Sequence, residues 1–428
     1  MPRTLPALLT ALLLLPSLAL GAGFRIVVGP GSKDFPLALA AVVPGAPEVA
    51  DEGQTLDEVV QRDLELTGYF RLIDRAAHID RSGGVAPGTF NLDDWRMLKA
   101  GAVLKSSVIQ QPGGKVQVDV YLYDTGTGEK LFGKRYQAPE SEVRTLGHKI
   151  SDEVLLALTG QRGLFGTRIA AVSQRSGNKE IYVMDADGTG VQQITRNGSI
   201  NLSPALSDDG RFLAWTSFKR DNPDLYVKDL QRGTSQVISN REGINTGAAF
   251  SPDGKRIALA RSANGDADIY ILDAATGREL QRVTKGGGID VAPDFHPTGD
   301  TLAFSSERSG GSQVYVQPLA GGEARRVSFS GSFNTDPVWS PDGTQIAFVG
   351  RDPRFDVFVV NADGSHMVRI TQDQGDNEDP SWSPDGRYLI FSSTRTGRSE
   401  IWLSTPDGRH QAQISQGGGW TQPTWGVR

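Results

Sequence analysis

From residue 163 to the C-terminus, short apolar strands recur in a fixed order. Four kinds of segment are each found six times. One ends in a bulky apolar residue, one is a short apolar strand, one centres on an aromatic residue, and one ends in a β-branched residue followed by Thr or Ser. The bulky residues of the first kind are Leu206, Phe250, Phe295, Trp339, Trp382 and Trp425, spaced by 44, 45, 44, 43 and 43 residues. Four short strands per repeat of ~40–45 residues are typical of a β-propeller blade, so the pattern predicts six blades.

The order of these segments also predicts how the ring closes. The repeat region begins with a segment of the second kind at Ile169 and ends with one of the first kind at 422–426. Neither makes a complete blade alone, so we expect both ends of the region to meet in one sheet, which hides both strand edges. The expected architecture combines α/β and all-β domains: a small N-terminal α/β domain, residues 23–160, and a six-bladed β-propeller, residues 161–428, closed by the C-terminal strand.

A Ser-Pro-Asp-Gly tetrapeptide separates the first two strands of several repeats, at 251–254, 340–343 and 383–386. Its repeated Asp could be a metal ligand or a nucleophile. A tight turn explains the whole tetrapeptide better, because Pro presets φ, Asp caps the turn with its own side chain and Gly takes a positive φ. We therefore interpret these segments as turns, and the Asp-Gly pairs at 187–188, 363–364 and 407–408 as the turns between third and fourth strands.

Residues 23–160 lack the repeat and mix two kinds of periodicity. Apolar positions on one face predict a helix at 51–67, ended by Gly68, a short helix around Trp95, and a helix from Ser141 to about Gly160. Alternating or continuous apolar runs predict strands, at 24–28, 70–73, 102–109, 116–123 and 131–136. Residues 160–166 form the expected linker to the propeller.

The first 22 residues have the pattern of a cleaved export signal. Arg3 precedes an apolar run from Leu5 to Leu20, and small residues follow, so we expect cleavage near Gly21 or Ala22. A membrane anchor is the alternative, but the run is shorter than the ~20 residues of a span and contains prolines. We expect a soluble, exported protein with no membrane span after cleavage.

The chain has no Cys, which excludes disulfides and thiolate metal sites, and its net charge of −6 gives no reason to expect nucleic acid.

No motif for catalysis or cofactor binding stands out. The five His residues are not at metal-ligand spacing, and there is no HExxH or GxSxG motif. Two Gly-Gly-Gly runs lack the Lys and helix of a phosphate-binding loop. The sequence therefore predicts neither a catalytic residue, a metal nor a cofactor, and we expect no catalytic domain beyond the closing strand.

The blade connections offer a different kind of site. Loops from a fourth strand to the next first strand share one face of a propeller with the loops between second and third strands. The first set is polar and includes Asn201, Asn245, Asp290, Asn334, Asp336, Asp376 and Glu378, and the second set supplies Arg175, Arg220, Arg261, Arg308, Arg351 and Arg395. Such residues are either a solvated rim or, as a ring around a channel mouth, a docking surface held on a rigid scaffold.

Taken together, several segments resemble the TolB family, the periplasmic component of the Tol-Pal cell-envelope system of Gram-negative bacteria. They are GHKISDEVLLALTGQRGLFGTRIAAVSQ at 147–174, the Ser-Pro-Asp-Gly blades, the exported start FRIVV and the final PTWG. The resemblance covers essentially the whole mature chain. It implies a monomeric scaffold, not an enzyme, that supports outer-membrane integrity and cell division.

The resemblance also implies binding sites. The family's propeller binds the lipoprotein Pal across the loop face, where colicins also bind, and other outer-membrane proteins are further candidate partners. The matching Pal positions here include Ile244, Asn245 and Thr246, and Asp290 with Val291; the chain departs from the family pattern at Ile244, where we expect His, and at Val291, where we expect Thr. The family's mobile N-terminus binds TolA, and the matching residues are Phe24, Arg25, Ile26, Val27 and Val28.

Two hypotheses follow. The first is a periplasmic adaptor that links Pal to TolA. The second is an exported hydrolase that acts on envelope glycans or peptides at the channel mouth. The first predicts that changing Asn245, Asp290 and Asn334 together weakens Pal binding without unfolding the protein.

Overall fold

The computed structural model describes residues 35–263, 266–286 and 288–427. The expected signal segment and the expected strand and TolA segment at 24–28 lie outside these residues. Within them, an α/β sheet with two long helices precedes six four-stranded sheets, so the predicted fold class is confirmed.

The N-terminal part is one mixed sheet with helices on it. Its strands run in the order β3-β1-β4-β5-β6, with β2 paired to β4, and β1 is parallel to both β3 and β4. The elements are β1 Phe35–Leu39, β2 Val43–Pro44, α1 Ala50–Thr67, β3 Phe70–Leu72, α2 Asp93–Met97, β4 Ala102–Gln111, β5 Lys115–Asp124, β6 Lys130–Pro139 and α3 Val143–Thr159. Short 3-10 turns lie at Pro47–Val49, Arg75–Ala77 and Glu140–Glu142. The sequence reasoning missed β1 and β2, and α3 begins two residues later than predicted.

The helices α1 and α3 lie side by side and bury their apolar faces on the sheet. Leu64 of α1 and Val154 of α3 are fully buried in one core with Leu37 of β1. A glycine permits their close approach, because a Cβ at Gly147 would lie 2.7 Å from Val59 Cγ1. The predicted stop of α1 is confirmed, since Gly68 takes a left-handed φ of 68°.

Each propeller blade contains four antiparallel strands, counted outward from the channel. Blade 1 is Trp420–Gly426, Arg168–Ser173, Glu180–Asp185 and Gln192–Gln193; blade 2 is Asn201–Leu206, Phe212–Ser217, Asp224–Asp229 and Ser235–Ser239; blade 3 is Asn245–Phe250, Arg256–Ala263, Asp266–Asp273 and Glu279–Arg282. Blade 4 is Asp290–Phe295, Thr301–Ser306, Gln313–Pro318 and Arg325–Arg326; blade 5 is Asn334–Trp339, Gln345–Arg351, Phe355–Asn361 and Val368–Arg369; blade 6 is Asn377–Trp382, Leu389–Ser393, Glu400–Ser404 and Gln411–Gln413.

The predicted ring closure is confirmed. The last strand, Trp420–Gly426, pairs antiparallel with Arg168–Ser173, with Trp425 opposite Ile169. Trp425 is buried and its indole Nε1 donates to Thr167 Oγ1 at 2.7 Å. The first and last strands of the ring therefore share the blade 1 sheet.

The Ser-Pro-Asp-Gly segments are turns, as predicted. At 251–254 the hydroxyl of Ser251 donates to Asp253 Oδ1 at 2.6 Å, and the same oxygen accepts the backbone N–H of Lys255 at 3.1 Å. Gly254 has a φ of 67°. The Asp carboxylate is thus used inside its own turn.

Helices α1 and α3 also connect the sheet to blades 1 and 6. Tyr388 OH donates to the carbonyl of Thr67 at 2.8 Å, and Arg62 Nη2 donates to the carbonyl of Gln413 at 2.6 Å. His410 Nε2 lies 2.9 Å from the carbonyl of Leu66. The end of α1 therefore rests on the propeller. Over the residues that the structure describes, no helix combines the length and the apolarity of a membrane span.

Candidate docking face and channel

One residue opens the first strand of blades 2 to 6 on the face where the blade connections emerge, which we call the loop face. These opening residues are Asn201, Asn245, Asp290, Asn334 and Asn377. All five side chains are buried, with exposed fractions of 0 to 2%. The side chains of Asn201, Asn245, Asp290 and Asn334 are therefore closed to solvent here, and partner binding at these positions stays a prediction.

The four opening Asn side chains bond to the preceding blade, whereas Asp290 pairs with Arg308 of its own blade. Asn201 Nδ2 donates to Glu180 Oε2 at 2.9 Å, and Asn334 Nδ2 donates to Gln313 Oε1 at 2.8 Å. In both cases the acceptor begins the third strand of the preceding blade. Asn377 makes the same bond to Asp356 at 3.1 Å. Buried polar groups are costly unless they are bonded, so these amides act as clamps between blades.

A hydroxyl bonds the same acceptor in each of these three clamps, and two further blades have the hydroxyl bond alone. In five blades a Ser or Thr just after the fourth strand donates to the acidic or amide side chain near the start of the third strand, in the pairs Thr195 to Glu180, Thr284 to Asp268, Ser328 to Gln313, Thr371 to Asp356 and Ser415 to Glu400. The same hydroxyl accepts a backbone N–H of that strand, as from Val357 to Thr371 at 3.0 Å. The Thr or Ser that ends each repeat in the sequence is therefore a structural signal.

Exposed side chains on the loop face lie one residue earlier. The residues immediately before the opening residues of blades 2 to 5 are apolar and form what we call the apolar collar: Ile200, Ile244, Ile289 and Phe333. Their exposed fractions are 48, 38, 41 and 36%. Of these four, only Ile244 is among the residues predicted from the sequence; the other three share with it a position directly before Asn or Asp. Exposed apolar residues repeated on four adjacent blades are typical of a contact surface.

The predicted arginines differ in accessibility. Arg220 is exposed and pairs with Asp224 at 2.8 Å, whereas Arg308 bridges to the buried Asp290 at 3.2 Å. Arg261 is only 4% exposed, bonds Glu279 at 3.1 Å and lies 4.7 Å from the ring centroid of Tyr270. Burial lowers the pKa of its guanidinium. Arg220 and Arg308 can therefore reach a partner, and Arg261 supports blade 3.

The remaining predicted residues lie between these extremes. Thr246 and Val291 are half-buried, each the second residue of its first strand. Asp336, the third residue of its strand, lies inside the central channel.

The channel is a cavity of about 510 Å³ lined by all six first strands. The third residue of each strand has a left-handed φ between 49° and 64°, and these residues are Ser203, Gly247, Ala292, Asp336, Asp379 and Gln422. This repeated bulge turns one residue per blade toward the axis.

Four carboxylates, those of Asp208, Asp294, Asp336 and Asp379, give the channel an acidic lining. Burial raises the pKa of Asp294 and of Asp336 to about 7, and it also raises that of Asp379. Asp294 Oδ2 accepts the backbone N–H of Trp339 at 2.7 Å, and Asp379 Oδ2 accepts that of Gln422 at 3.0 Å. Two of the four carboxylates thus tie adjacent first strands together.

Among the residues that the structure describes, one group of side chains has the composition of a metal site. Asp63, His148 and Asp187 bring ligand atoms within 4.8 Å of one another where α1 and α3 meet blade 1. Arg144 Nη2 bonds Asp187 Oδ2 at 2.7 Å, and His148 Nδ1 lies 2.9 Å from Asp63 Oδ2. Because a guanidinium and an imidazole already neutralise these carboxylates, we interpret the group as an ion-pair network.

The fold and the loop face define a two-domain β-propeller protein with an exposed apolar collar on one face of the ring. The family model described as the TolB amino-terminal domain matches residues 25–131, and the model of the TolB beta propeller domain matches residues 156–428. This chain therefore belongs to the TolB family.

Individual relatives agree with this assignment. The Tol-Pal system protein TolB of Bordetella pertussis is 37% identical over 299 residues, which is 70% of this chain and 66% of that protein. The protein TolB homolog of Chlorobium luteolum is 32% identical over 373 residues, 86% of this chain and 85% of that protein. The crystal structure of TolB from Acinetobacter baumannii superposes with a TM-score of 0.80 at 27% identity, over 95% of this chain and 98% of that one.

Proposed function

We propose that this protein is a non-enzymatic periplasmic adaptor of the Tol-Pal system that binds Pal through the loop face of its propeller. Family membership supports the role, because relatives such as that of Bordetella pertussis are called Tol-Pal system proteins. The apolar collar is the observation that carries the choice of face. In this role the protein supports outer-membrane integrity and cell division.

The collar has the properties of an interface core. Its four side chains stand at the same position of adjacent blades, and each follows a connection whose end is fixed by a buried opening residue. Rigid anchors lose little conformational entropy on binding, and a few such residues commonly supply most of the affinity. The exposed Arg220 and Arg308 lie in the second-to-third-strand loops of the same face and can provide its polar rim.

Binding to Pal tests this proposal most directly. We expect the triple variant Ile244→Ser, Ile289→Ser, Phe333→Ser to bind the Pal protein of the same organism at least about tenfold more weakly, because each truncated anchor costs on the order of 1 kcal/mol or more. Isothermal titration calorimetry measures the affinity. The double variant Leu280→Ser, Val368→Ser is the matched control, since these side chains are 43 and 44% exposed but lie on fourth strands.

The two variants separate the proposal from a general effect of surface polarity. Equal affinity of the triple variant and the unaltered protein would remove the loop face as the Pal site. The earlier choice of Asn245, Asp290 and Asn334 is unsuitable for this test, because those buried side chains stabilise the blades and their loss would confuse binding with unfolding.

We assign TolA binding to the segment Phe24 to Val28, which lies outside the described residues. This assignment rests on the family resemblance and on the apolar, β-branched character of the segment, which suits strand addition to a partner sheet. Deleting residues 23–28 should abolish TolA binding and leave Pal binding intact or stronger. Retained TolA binding would place the contact elsewhere.

Export is part of the same proposal. N-terminal sequencing of the protein purified from the periplasm should begin near Gly21 or Ala22. The exported hydrolase is the alternative, and a measured turnover of envelope glycan or peptide by the purified protein would favour it. The buried Asp63–His148 pair does not, since both side chains are closed off at 0 and 2% exposure.

A further inference from the structure

The junction between the N-terminal domain and the propeller is built around one histidine. His148 projects from α3 and its Nδ1 lies 2.9 Å from Oδ2 of Asp63, on α1. Its other ring nitrogen, Nε2, lies 3.6 Å from Oδ2 of Asp185, at the end of the third strand of blade 1, and 3.5 Å from Nη2 of Arg144. The side chains of His148 and Asp63 are 2 and 0% exposed. One imidazole therefore spans from a carboxylate of the domain to a carboxylate of the propeller.

Charged groups face this ring from every element around it. They are Arg62 and Asp63 on α1, Arg144 and Asp152 on α3, and Asp185 and Asp187 in blade 1. Arg144 bonds Asp187 at 2.7 Å and Asp185 at 3.3 Å. Four carboxylates thus face two guanidinium groups, so a proton on His148 is favoured electrostatically.

We propose that doubly protonated His148 is a pH-sensitive bridge that holds the N-terminal domain against blade 1. An imidazolium donates from both nitrogens and can satisfy Asp63 and Asp185 together. A neutral imidazole donates from one nitrogen only, so it can satisfy only one of the two carboxylates. Loss of the proton therefore breaks the connection on one side and loosens the junction.

The direction of the pH effect follows from the pKa shifts of both His148 and Asp63. Burial opposes the charge on His148, but the neighbouring carboxylates of Asp185 and Asp63 outweigh it and raise its pKa to about 9. The pKa of His148 is raised above its value in the unfolded chain, about 6.5. The stabilisation from this shift is therefore complete below pH 6.5 and is lost as the pH rises through 9. Burial also raises the pKa of Asp63 to about 7. The stability linked to this shift is likewise lost as the pH rises, over a lower pH range. The junction should therefore weaken with rising pH.

Other contacts limit the size of the change. Arg62 donates to the carbonyl of Gln413, and Tyr388 donates to that of Thr67. Burial raises the pKa of Tyr388 well above its ordinary value, so its phenol keeps its proton across this range. We expect a wider distribution of domain orientations at high pH, and the two units to stay associated.

Distance measurements between spin labels test the proposal on the full chain. The chain has no native Cys, so Glu58→Cys on the exposed face of α1 and Asn178→Cys in a blade 1 loop give two unique sites. Double electron–electron resonance should show one narrow distance distribution at pH 6 to 7. The distribution should broaden as the pH rises, with a midpoint near pH 9. In the variant His148→Gln the broad distribution should be present at every pH.

A second variant keeps the test decisive if the buried substitution impairs folding. Asp185→Asn removes the partly exposed carboxylate on the propeller side and should move the midpoint down by about one pH unit, a tenfold change in proton concentration. His366→Gln, an exposed histidine in a loop of blade 5, is the matched control and should leave the midpoint unchanged. The proposal is overturned if the distances do not change between pH 6 and 9.5, or if folded Asp185→Asn keeps the original midpoint.

Discussion

Buried polar side chains serve the propeller and the domain junction in different ways. Between blades, an amide, a hydroxyl and one acidic or amide side chain form a clamp that recurs around the ring, as in Asn377, Thr371 and Asp356. At the junction, His148, Asp63 and Arg144 form a single network built mainly from charges. The donors of the repeated clamp are neutral amides and hydroxyls, whereas the donors at the junction are a guanidinium and an imidazole. The ring and the domain junction are thus held together by different kinds of polar interaction.

The largest expected effect comes from opening the ring. Deleting residues 420–428 removes the inner strand of blade 1 and leaves the edge of Arg168–Ser173 unpaired. We expect loss of cooperative unfolding and aggregation, because an open sheet edge and uncovered apolar residues favour association. Calorimetry and light scattering measure this, with a chain ending at Gly426 as the control. Cooperative melting of the shorter chain at the original temperature would show that the ring is stable without closure.

A single clamp should have the next largest effect. Asn377→Ala removes the donor to Asp356 and the acceptor of Arg395 Nη2 at 3.1 Å, all in a buried site. We expect a loss of about 2–3 kcal/mol in the free energy of unfolding, since a buried charged group loses a partner. Denaturant titration measures the loss, and Asn178→Ala, on an exposed loop, should change the free energy by less than about 0.5 kcal/mol. Equal small losses in both variants would mean that the clamps do not stabilise the ring.

The propeller could be predicted from sequence because each apolar position is repeated six times, and errors in one blade are corrected by the others. The strand Phe35–Leu39 has no such support: it is short, contains Pro36 and occurs once. Its place between β3 and β4 depends on contacts far along the chain, which local patterns do not contain.

The site was harder to predict than the fold for a related reason. Asn245 is a polar residue in a connection, and residue type alone favours an exposed position. Its side chain instead accepts from Ser239 at 2.6 Å, a partner in the preceding blade. The repetition of Asn or Asp together with Ser or Thr in register was the available signal, and it indicated a structural role. The ion pairs of His148 occur once and leave no pattern to find.

At the junction, a helix stop should matter more than an ordinary glycine. Gly68 has a φ of 68°, and a Cβ there would lie 2.7 Å from the ring of His410. Gly68→Ala should cost about 1–2 kcal/mol, from the left-handed backbone and from displacement of the ring. Gly254→Ala shares the positive φ of 67° but has open space around its Cβ. Denaturant titration gives the loss in the free energy of unfolding for each variant, and the excess at Gly68 over Gly254 is the cost of displacing the His410 ring. Equal losses would assign the whole effect to the left-handed backbone.

The smallest effect tests whether neutral hydrogen bonds help hold the domain to the ring. Tyr388→Phe removes the bond from the phenol to the carbonyl of Thr67 and leaves that buried acceptor unpaired. We expect a loss of about 1 kcal/mol, within the range of a single neutral hydrogen bond. Tyr182→Phe is the control, because Tyr182 contributes its ring, packed edge-on against Trp420 with centroids 5.6 Å apart. If the two substitutions lower the free energy of unfolding equally, the charged network around His148 rather than Tyr388 holds the junction. The loss of stability in Tyr388→Phe should then be larger at pH 9.5 than at pH 7.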